Sequence, residues 1–250
     1  MRIPVIKGII ERRILANYSI DPEIIAKILP APFRPKLIQN RAIGGVCLIR
    51  LNKIRPKIFP LPWGIQSENA AHRIAVQWTV QGKTLEGVYI PRRDTNSLLN
   101  TLAGSRLFPG VHHRAVFTVH ETKSSFSVSL KSKDGEVDVA IAGNISEKLP
   151  STSVFSSLEE ASAFFEAGSL GYSVTRSPHR FDGMELRCKN WKIQPLAVDS
   201  IRSSFFEDKS RFPEGSVKFD CALLMSDINH EWLGREDLCC TNATNATLTS

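Results

Sequence analysis

Strand-forming stretches recur along this chain. Runs rich in Val, Ile, Phe and Thr occupy 42–51, 72–80, 84–91, 113–120, 124–131, 136–142, 190–199 and 217–225. So many short β runs must pair with one another to satisfy their backbone groups. Several alternate. From Ser125 to Leu130 polar and apolar residues exchange places, putting Phe126, Val128 and Leu130 on one face of a strand. Lys133-Asp134-Gly135 is a hairpin signal between two such runs.

Helix signals are few and far apart. Asp21-Pro22-Glu23 reads as an N-cap, a first-turn proline and a first-turn acid, with Ile24, Ile25, Ile28 and Leu29 as the buried face and Pro30 as the stop. A second helix is expected from Asp94 or Thr95 to Leu102, with Leu98, Leu99 and Leu102 on one side and Gly104 ending it. The third has a capping box, Ser157-x-x-Glu160, a stripe of Leu158, Ala161, Phe164 and Phe165, and Gly168 at its end. Gly168–Ser173 reads as helix exit and turn, and the proline-rich 55–67 as a long ordered loop. The fold class expected is α+β and β-rich, on a large, mostly antiparallel sheet or barrel-like layer with about three helices. Residues 1–238 are read as one domain, and 239–250 as a disordered tail with little to bury.

Bulk properties exclude some functions. The 42% hydrophobic content is ordinary for a globular protein and too high for a disordered polymer. No apolar run approaches the ~20 residues of a membrane-spanning helix, and Pro4 and Lys7 break the N-terminal apolar stretch. The expectation is a cytoplasmic protein with no membrane partner. The five cysteines, Cys47, Cys188, Cys221, Cys239 and Cys240, form no C-x-x-C pair, so no metal is expected from them. Cys47 and Cys221 read as small core residues. The net charge is +7, but Lys and Arg are spread among carboxylates with no long basic run, which argues against nucleic acid. A homo-oligomer is left open.

Unusual polar groups gather in the middle of the chain. Ser67-Glu68-Asn69-Ala70-Ala71-His72-Arg73 enters an otherwise apolar strand, and on a strand Glu68 and His72 share a face about 13 Å apart. Arg92-Arg93-Asp94 either holds an anion or pairs internally around a helix start. His112 and His113, as neighbours on a strand, face opposite sides. His72, Glu68 and one of His112/His113 are the right types for a two-His, one-carboxylate metal site, at a spacing that matches no established motif. There is no nucleophile elbow, Walker loop or dinucleotide fingerprint.

The stretches NYSIDPEIIAKILP (17–30), GVCLIRL (45–51), SENAAHR (67–73), VYIPRRDT (88–95), GSRLFPGVHH (104–113), ASAFFEAGSLGYS (161–173), RFDGMEL (180–186), SSFF (203–206), FDCALLM (219–225) and HEW (230–232) together resemble the YqjF-like bacterial proteins of unknown function. Residues 12–115 are also distantly similar to acetoacetate decarboxylase. That similarity implies a β-rich, cone-like barrel around a small polar cavity. The decarboxylase attacks its keto acid with a lysine whose pKa is lowered by desolvation and nearby groups, so that the free amine is available. By the same similarity Tyr18 and Asp21 match the approach to its first helix, its cavity glutamate falls on Glu68, and its arginine on Arg12 or Arg13. Arg106 matches an arginine before the lysine, and the lysine's place is taken by His113. A second carboxylate falls near Gly45 or Val46, which do not ionise. No lysine lies between Lys83 and Lys123, so Schiff-base decarboxylation is not expected.

The sequence therefore leads to a polar cavity for a small carbonyl or carboxylate compound. Glu68 and His113 are the expected acid/base pair; Arg92, Arg93, Arg106, His72 and His112 are expected to bind the ligand, without a cofactor. A non-catalytic binding protein and a metal-dependent enzyme using His72 and His113 are the alternatives.

Overall fold

The computed structural model describes residues 4–58, 64–103, 110–177 and 179–239. Thirteen strands belong to one sheet. In chain order they are β1 (Ile6–Ile20), β2 (Arg34–Pro35), β3 (Leu37–Ile38), β4 (Arg41–Pro56), β5 (Ile65–Val80), β6 (Lys83–Thr95), β7 (His112–Glu121), β8 (Ser125–Ser132), β9 (Asp138–Ile145), β10 (Leu170–Val174), β11 (Arg180–Cys188), β12 (Gln194–Ser203) and β13 (Val217–Cys239). The helices are α1 (Pro22–Ile28), α2 (Leu98–Ala103), α3 (Leu158–Ala167) and the single-turn α4 (Ser204–Glu207).

The pairings close the sheet twice. One circuit runs β6-β7-β8-β9-β12-β13-β1-β4-β5 and returns to β6. The other runs β6-β10-β11-β13 and returns through the same β1, β4 and β5. The strands β13, β1, β4, β5 and β6 are thus a shared wall with an enclosed space on each side. A wall buried on both faces needs nearly continuous apolar strands, and β1 meets that need: from Ile14 to Ile20 every residue is buried. Two cores result. The first, inside the larger circuit, holds Ile14, Val46, Leu48, Ile74, Val128, Leu130, Val139 and Leu224. The second lies across the wall, where Leu15, Cys47, Leu223 and Met225 meet Phe155, Phe164 and Phe165 around α3. Most pairings are antiparallel; β6 pairs in parallel with both β7 and β10.

Two helices form as the sequence predicts. The Asp21 side chain accepts from the Glu23 N–H at the start of α1. Ser157 accepts from the Glu160 N–H at the start of α3, and Gly168 caps its end. Glu160 itself turns to Ser156, accepting from both its N–H and its hydroxyl. The second helix starts later than expected. Asp94 and Thr95 belong to β6, because their backbones pair with Ala70 and Asn69 of β5 and with His113 and Arg114 of β7. The Thr95 hydroxyl then accepts from the Ser97 N–H, turning the chain into α2. Leu98 and Leu99 are exposed rather than buried. Gly104 and the side chain of Leu102 lie outside the described residues, as does the tail from Cys240 onward. Of Gly168–Ser173, read as helix exit and turn, Leu170–Ser173 belongs to β10, because Gly171–Ser173 is paired on both sides, by β11 and β6. The expected 55–67 loop is shorter: β4 runs to Pro56 and β5 begins at Ile65.

Candidate functional site

Register on the shared wall fixes the polar groups. Arg12 of β1 pairs across to Arg50 of β4, and Arg50 to Glu68 of β5, so the three stand in one row. All face the first core, where Glu121 at the end of β7 reaches them. Arg12 Nη2 donates to Glu68 at 2.5 Å and Arg12 Nη1 to Glu121; Arg50 Nε donates to Glu68 at 2.5 Å and Arg50 Nη1 to Glu121 at 2.8 Å. Two cations and two anions close a ring whose charges cancel. Burial by itself would lower the Arg50 pKa, but the bonds and charges of Glu68 and Glu121 raise it above the usual arginine value. Both Glu68 oxygens are engaged.

His113 lies in a different cluster. Its Nδ1 is 3.0 Å from Asp134 in the β8–β9 turn. Arg92 bridges Asp134 and Asp94, with Nη2 2.8 and 2.9 Å from their oxygens. Ser132 also donates to Asp134 at 2.6 Å. Burial would raise the Asp134 pKa, but these donors hold it well below the carboxylate range. The expected pairing of Glu68 with His113 is therefore not formed, and Arg92 takes the internal-pairing option. His72 is completely buried. Its ring lies 4.9 Å from that of Phe205, and neither nitrogen has a hydrogen-bond partner. Burial, then the charges of Arg92 and Arg211, lowers its pKa to about 3, so the ring is neutral. His72, Glu68 and His113 thus have separate surroundings, and among the described residues no group of three or more His, Cys, Asp or Glu could hold a metal ion. Arg106 lies outside the described residues.

The other expected residues, Arg93 and His112, line a cavity on the opposite side of the wall, inside the smaller circuit. It measures about 120 Å³ and is lined by Arg13, Arg73, Arg93, Cys47, Asn69, Asp94 and His112, with Ile49, Ile90, Met184, Leu186 and Trp232 among its apolar residues. Strand alternation explains the division. Arg12 and Glu68 face one core; the next residues on their strands, Arg13 and Asn69, face this cavity. The three arginines are held by neutral groups. Arg73 Nη2 donates to the Asn17 side-chain oxygen at 2.5 Å, and its Nε has no partner. Arg93 Nε donates to Ser173 Oγ at 2.9 Å. Arg13 Nε donates to Cys47 Sγ at 3.3 Å. Burial lowers the pKa of Arg73 and of Arg93 to about 10, which still leaves both cationic at neutral pH. Asp94 reaches the cavity, but its carboxylate is bonded to Arg92. Burial, then Arg93, lowers His112 to about 3, so it stands neutral.

Sequence reasoning passed over Arg73, Arg50 and Glu121, and took Cys47 for packing alone. A signal existed: Arg13 and Arg73 interrupt strands whose neighbours, Ile14-Leu15 and Ile74-Ala75, are buried. A cation inside such a run is expensive and needs a reason. A second hollow, a groove of about 570 Å³, gathers Lys7, Lys53, Arg55, Lys57, Arg187 and Lys189 beside Glu231.

The pattern of the DUF2071 uncharacterised conserved proteins matches residues 10–222, which include β4, β5, β6, most of β1 and all three cavity arginines. The chain belongs to that family. Among curated proteins no match was found. Solved structures share the DUF2071 chain's fold. An acetoacetate decarboxylase from Legionella pneumophila superposes with a TM-score of 0.62 at 11% identity, covering 94% of this chain and 88% of that one. An acetoacetate decarboxylase-like enzyme from Sphingomonas wittichii gives 0.59 at 10% identity, over 95% and 93%. The enduracididine biosynthesis enzyme MppR, complexed with pyruvate, gives 0.54 at 10% identity, over 95% and 90%. This DUF2071 protein therefore has the decarboxylase-like fold. None of its described helices is long and apolar enough to cross a membrane.

Proposed function

We propose that this protein takes a small carboxylate- or carbonyl-bearing compound into the cavity lined by Arg13, Arg73 and Arg93. One observation carries the reading. Three arginines line one cavity, and among the described residues none has a carboxylate within ion-pair distance. Buried charges are ordinarily paired. Here the counter-charge is to be supplied by the ligand, and a guanidinium is well shaped to hold a carboxylate. An engineered 150 Å³ apolar cavity accepts benzene, so this space suits a compound of about six heavy atoms. MppR, of the same fold, is seen with pyruvate, which is of that size.

Arg93 and His112 keep the ligand-binding role the sequence suggested, and Arg13 and Arg73 join them. No lysine lines the cavity among the described residues, which agrees with chemistry other than Schiff-base decarboxylation. Glu68 and His113, engaged elsewhere by Arg12, Arg50 and Asp134, serve in this reading to set the shape of the wall and its rim. Binding without turnover is the second reading, favoured by the commitment of Asp94 to Arg92. The single sheet supports taking residues 1–238 as one domain, and the free thiols suit a cytoplasmic setting.

The test is a thermal-shift screen of small keto, hydroxy and dicarboxylic acids on the wild type and on Arg73→Met and Arg93→Met. A ligand that binds only the folded state raises its melting temperature. The reading expects a shift with at least one acid that is lost in both variants. Equal shifts in wild type and variants would put the ligand elsewhere.

A further inference from the structure

Cys47 lies among the cations of the same cavity. Its Sγ receives the Arg13 Nε–H at 3.3 Å, and it lines the same cavity as Arg73 and Arg93. The other thiols differ. Cys221 faces Asn17, its sulfur 3.6 Å from the amide nitrogen, and does not line the cavity. Cys188 borders the basic groove, and Cys239 is exposed at the end of β13. The unpartnered Nε of the deeply buried Arg73 is a second sign that the space beside Cys47 is made for a ligand.

We propose that Cys47 is a nucleophilic thiol, guided by charge toward the electrophilic carbon of a small carboxylate-bearing molecule held by Arg13, Arg73 and Arg93. The inference rests on the cavity being a carboxylate site. The cations do two things. They draw an anionic reagent to the sulfur, and they compensate the negative charge that grows on the reacting atoms. With a 2-oxo acid the step is an addition: an S–C bond forms, the carbonyl π pair moves to oxygen, and that oxygen takes the proton the thiol gives up. The product is a thiohemiketal, with no net oxidation or reduction. A sulfur nucleophile thus stands in a cavity that has no lysine to form an imine.

The experiment compares iodoacetate with iodoacetamide on the folded full-length chain, reading each cysteine separately by peptide mass spectrometry. Alkylation forms the S–C bond and expels iodide, and the thiol proton goes to solvent. The two reagents differ mainly in charge. The rate ratio of iodoacetate to iodoacetamide is expected to be at least about tenfold higher at Cys47 than at Cys239, within the range of electrostatic steering. It should fall toward the Cys239 value in Arg13→Gln and in Arg93→Gln. Two arginine variants are used so that a folding defect in one does not decide the matter. Equal ratios at Cys47 and Cys239 overturn the proposal. If small acids raise the melting temperature but Cys47 stays unalkylated in the folded protein, the proposal falls and the binding site stands. If no acid binds and the ratios are equal, both fall.

Discussion

Arg12 and Arg13 are neighbours on one strand and live in opposite electrostatic worlds. Arg12 donates to Glu68 and Glu121 on one side of the wall; on the other, Arg13 donates to two sulfur atoms, Cys47 at 3.3 Å and Met225 at 3.7 Å, and lies over the Trp191 ring. Strand alternation produces the separation. One arginine belongs to a neutral ring that ties β1, β4, β5 and β7 together, and the other helps line a cavity in which cations outnumber carboxylates.

The ring predicts a large stability loss when one member is removed. Glu68→Ala leaves the two cations, Arg12 and Arg50, to share the single carboxylate of Glu121, so it should cost about 3 kcal/mol, at the lower end for broken buried pairs. The double variant Arg12→Met with Glu68→Leu should regain much of that loss. Urea denaturation of the three proteins checks this; an additive double variant would argue against the ring.

The cavity predicts the reverse. Arg73 is buried without a counter-charge, so Arg73→Met should leave stability unchanged or higher while weakening binding of a small carboxylate at least tenfold, roughly 1.4 kcal/mol. Melting temperature and ligand titration of one variant give both readouts. A marked loss of stability would mean that Arg73 is chiefly structural.

Two buried histidines, His72 and His230, and the half-buried His112 predict an acid-sensitive fold. Burial lowers His72 and His112 to about 3 and His230 to about 4, against an ordinary value of 6.5. Between those values the unfolded chain binds more protons than the folded one, so stability rises with pH through that window. The stabilisation is complete above pH 6.5 and is lost progressively on acidification toward pH 4. Unfolding free energy measured from pH 4 to 8 should show that slope, and His72→Phe should flatten part of it. A level profile from pH 4.5 to 6.5 would contradict the neutral histidines.

Gly45 tests the closeness of β1 and β4. A Cβ added there would meet the Ala16 carbonyl oxygen at only 2.3 Å. Gly45→Ala must push the two strands apart and should cost about 2 kcal/mol or more, as overpacking of a core does. A Gly45→Ala protein with wild-type stability would show that the wall is softer than its geometry implies.

The fold was largely legible because strand periodicity and helix caps are local. Asp21-Pro22 and Ser157-x-x-Glu160 mark their helices, and Phe126, Val128 and Leu130 mark a face, from a few residues each. β1 escaped because its buried stretch lacks clean alternation: a strand with a core on each side shows no polar face. β10 escaped because Gly171 and Ser173 look like turn residues, and their pairing with β6 comes from far along the chain. The site was legible in part. Arg93 and His112 follow from polar residues at strand ends, but the partners of Glu68 do not, since Arg12, Arg50 and Glu121 come together only through register and closure. The basic groove illustrates the same limit: Lys7, Lys53 and Lys189 are dispersed in sequence and neighbours in space.

The shared wall also sets when this protein can begin to exist during synthesis. β1 is made before the other strands of this sheet, yet one of its edges pairs from Ile6 to Ile20 with β13, made after all of them. β13 also pairs with β11 and β12, so neither circuit closes before it arrives. Until then the nascent chain carries open strand edges and half-formed cores, the features that invite misassociation. Closure of both circuits, around the neutral ring and around the arginine cavity, therefore waits for β13, and a chain cut short before Val217 would close neither.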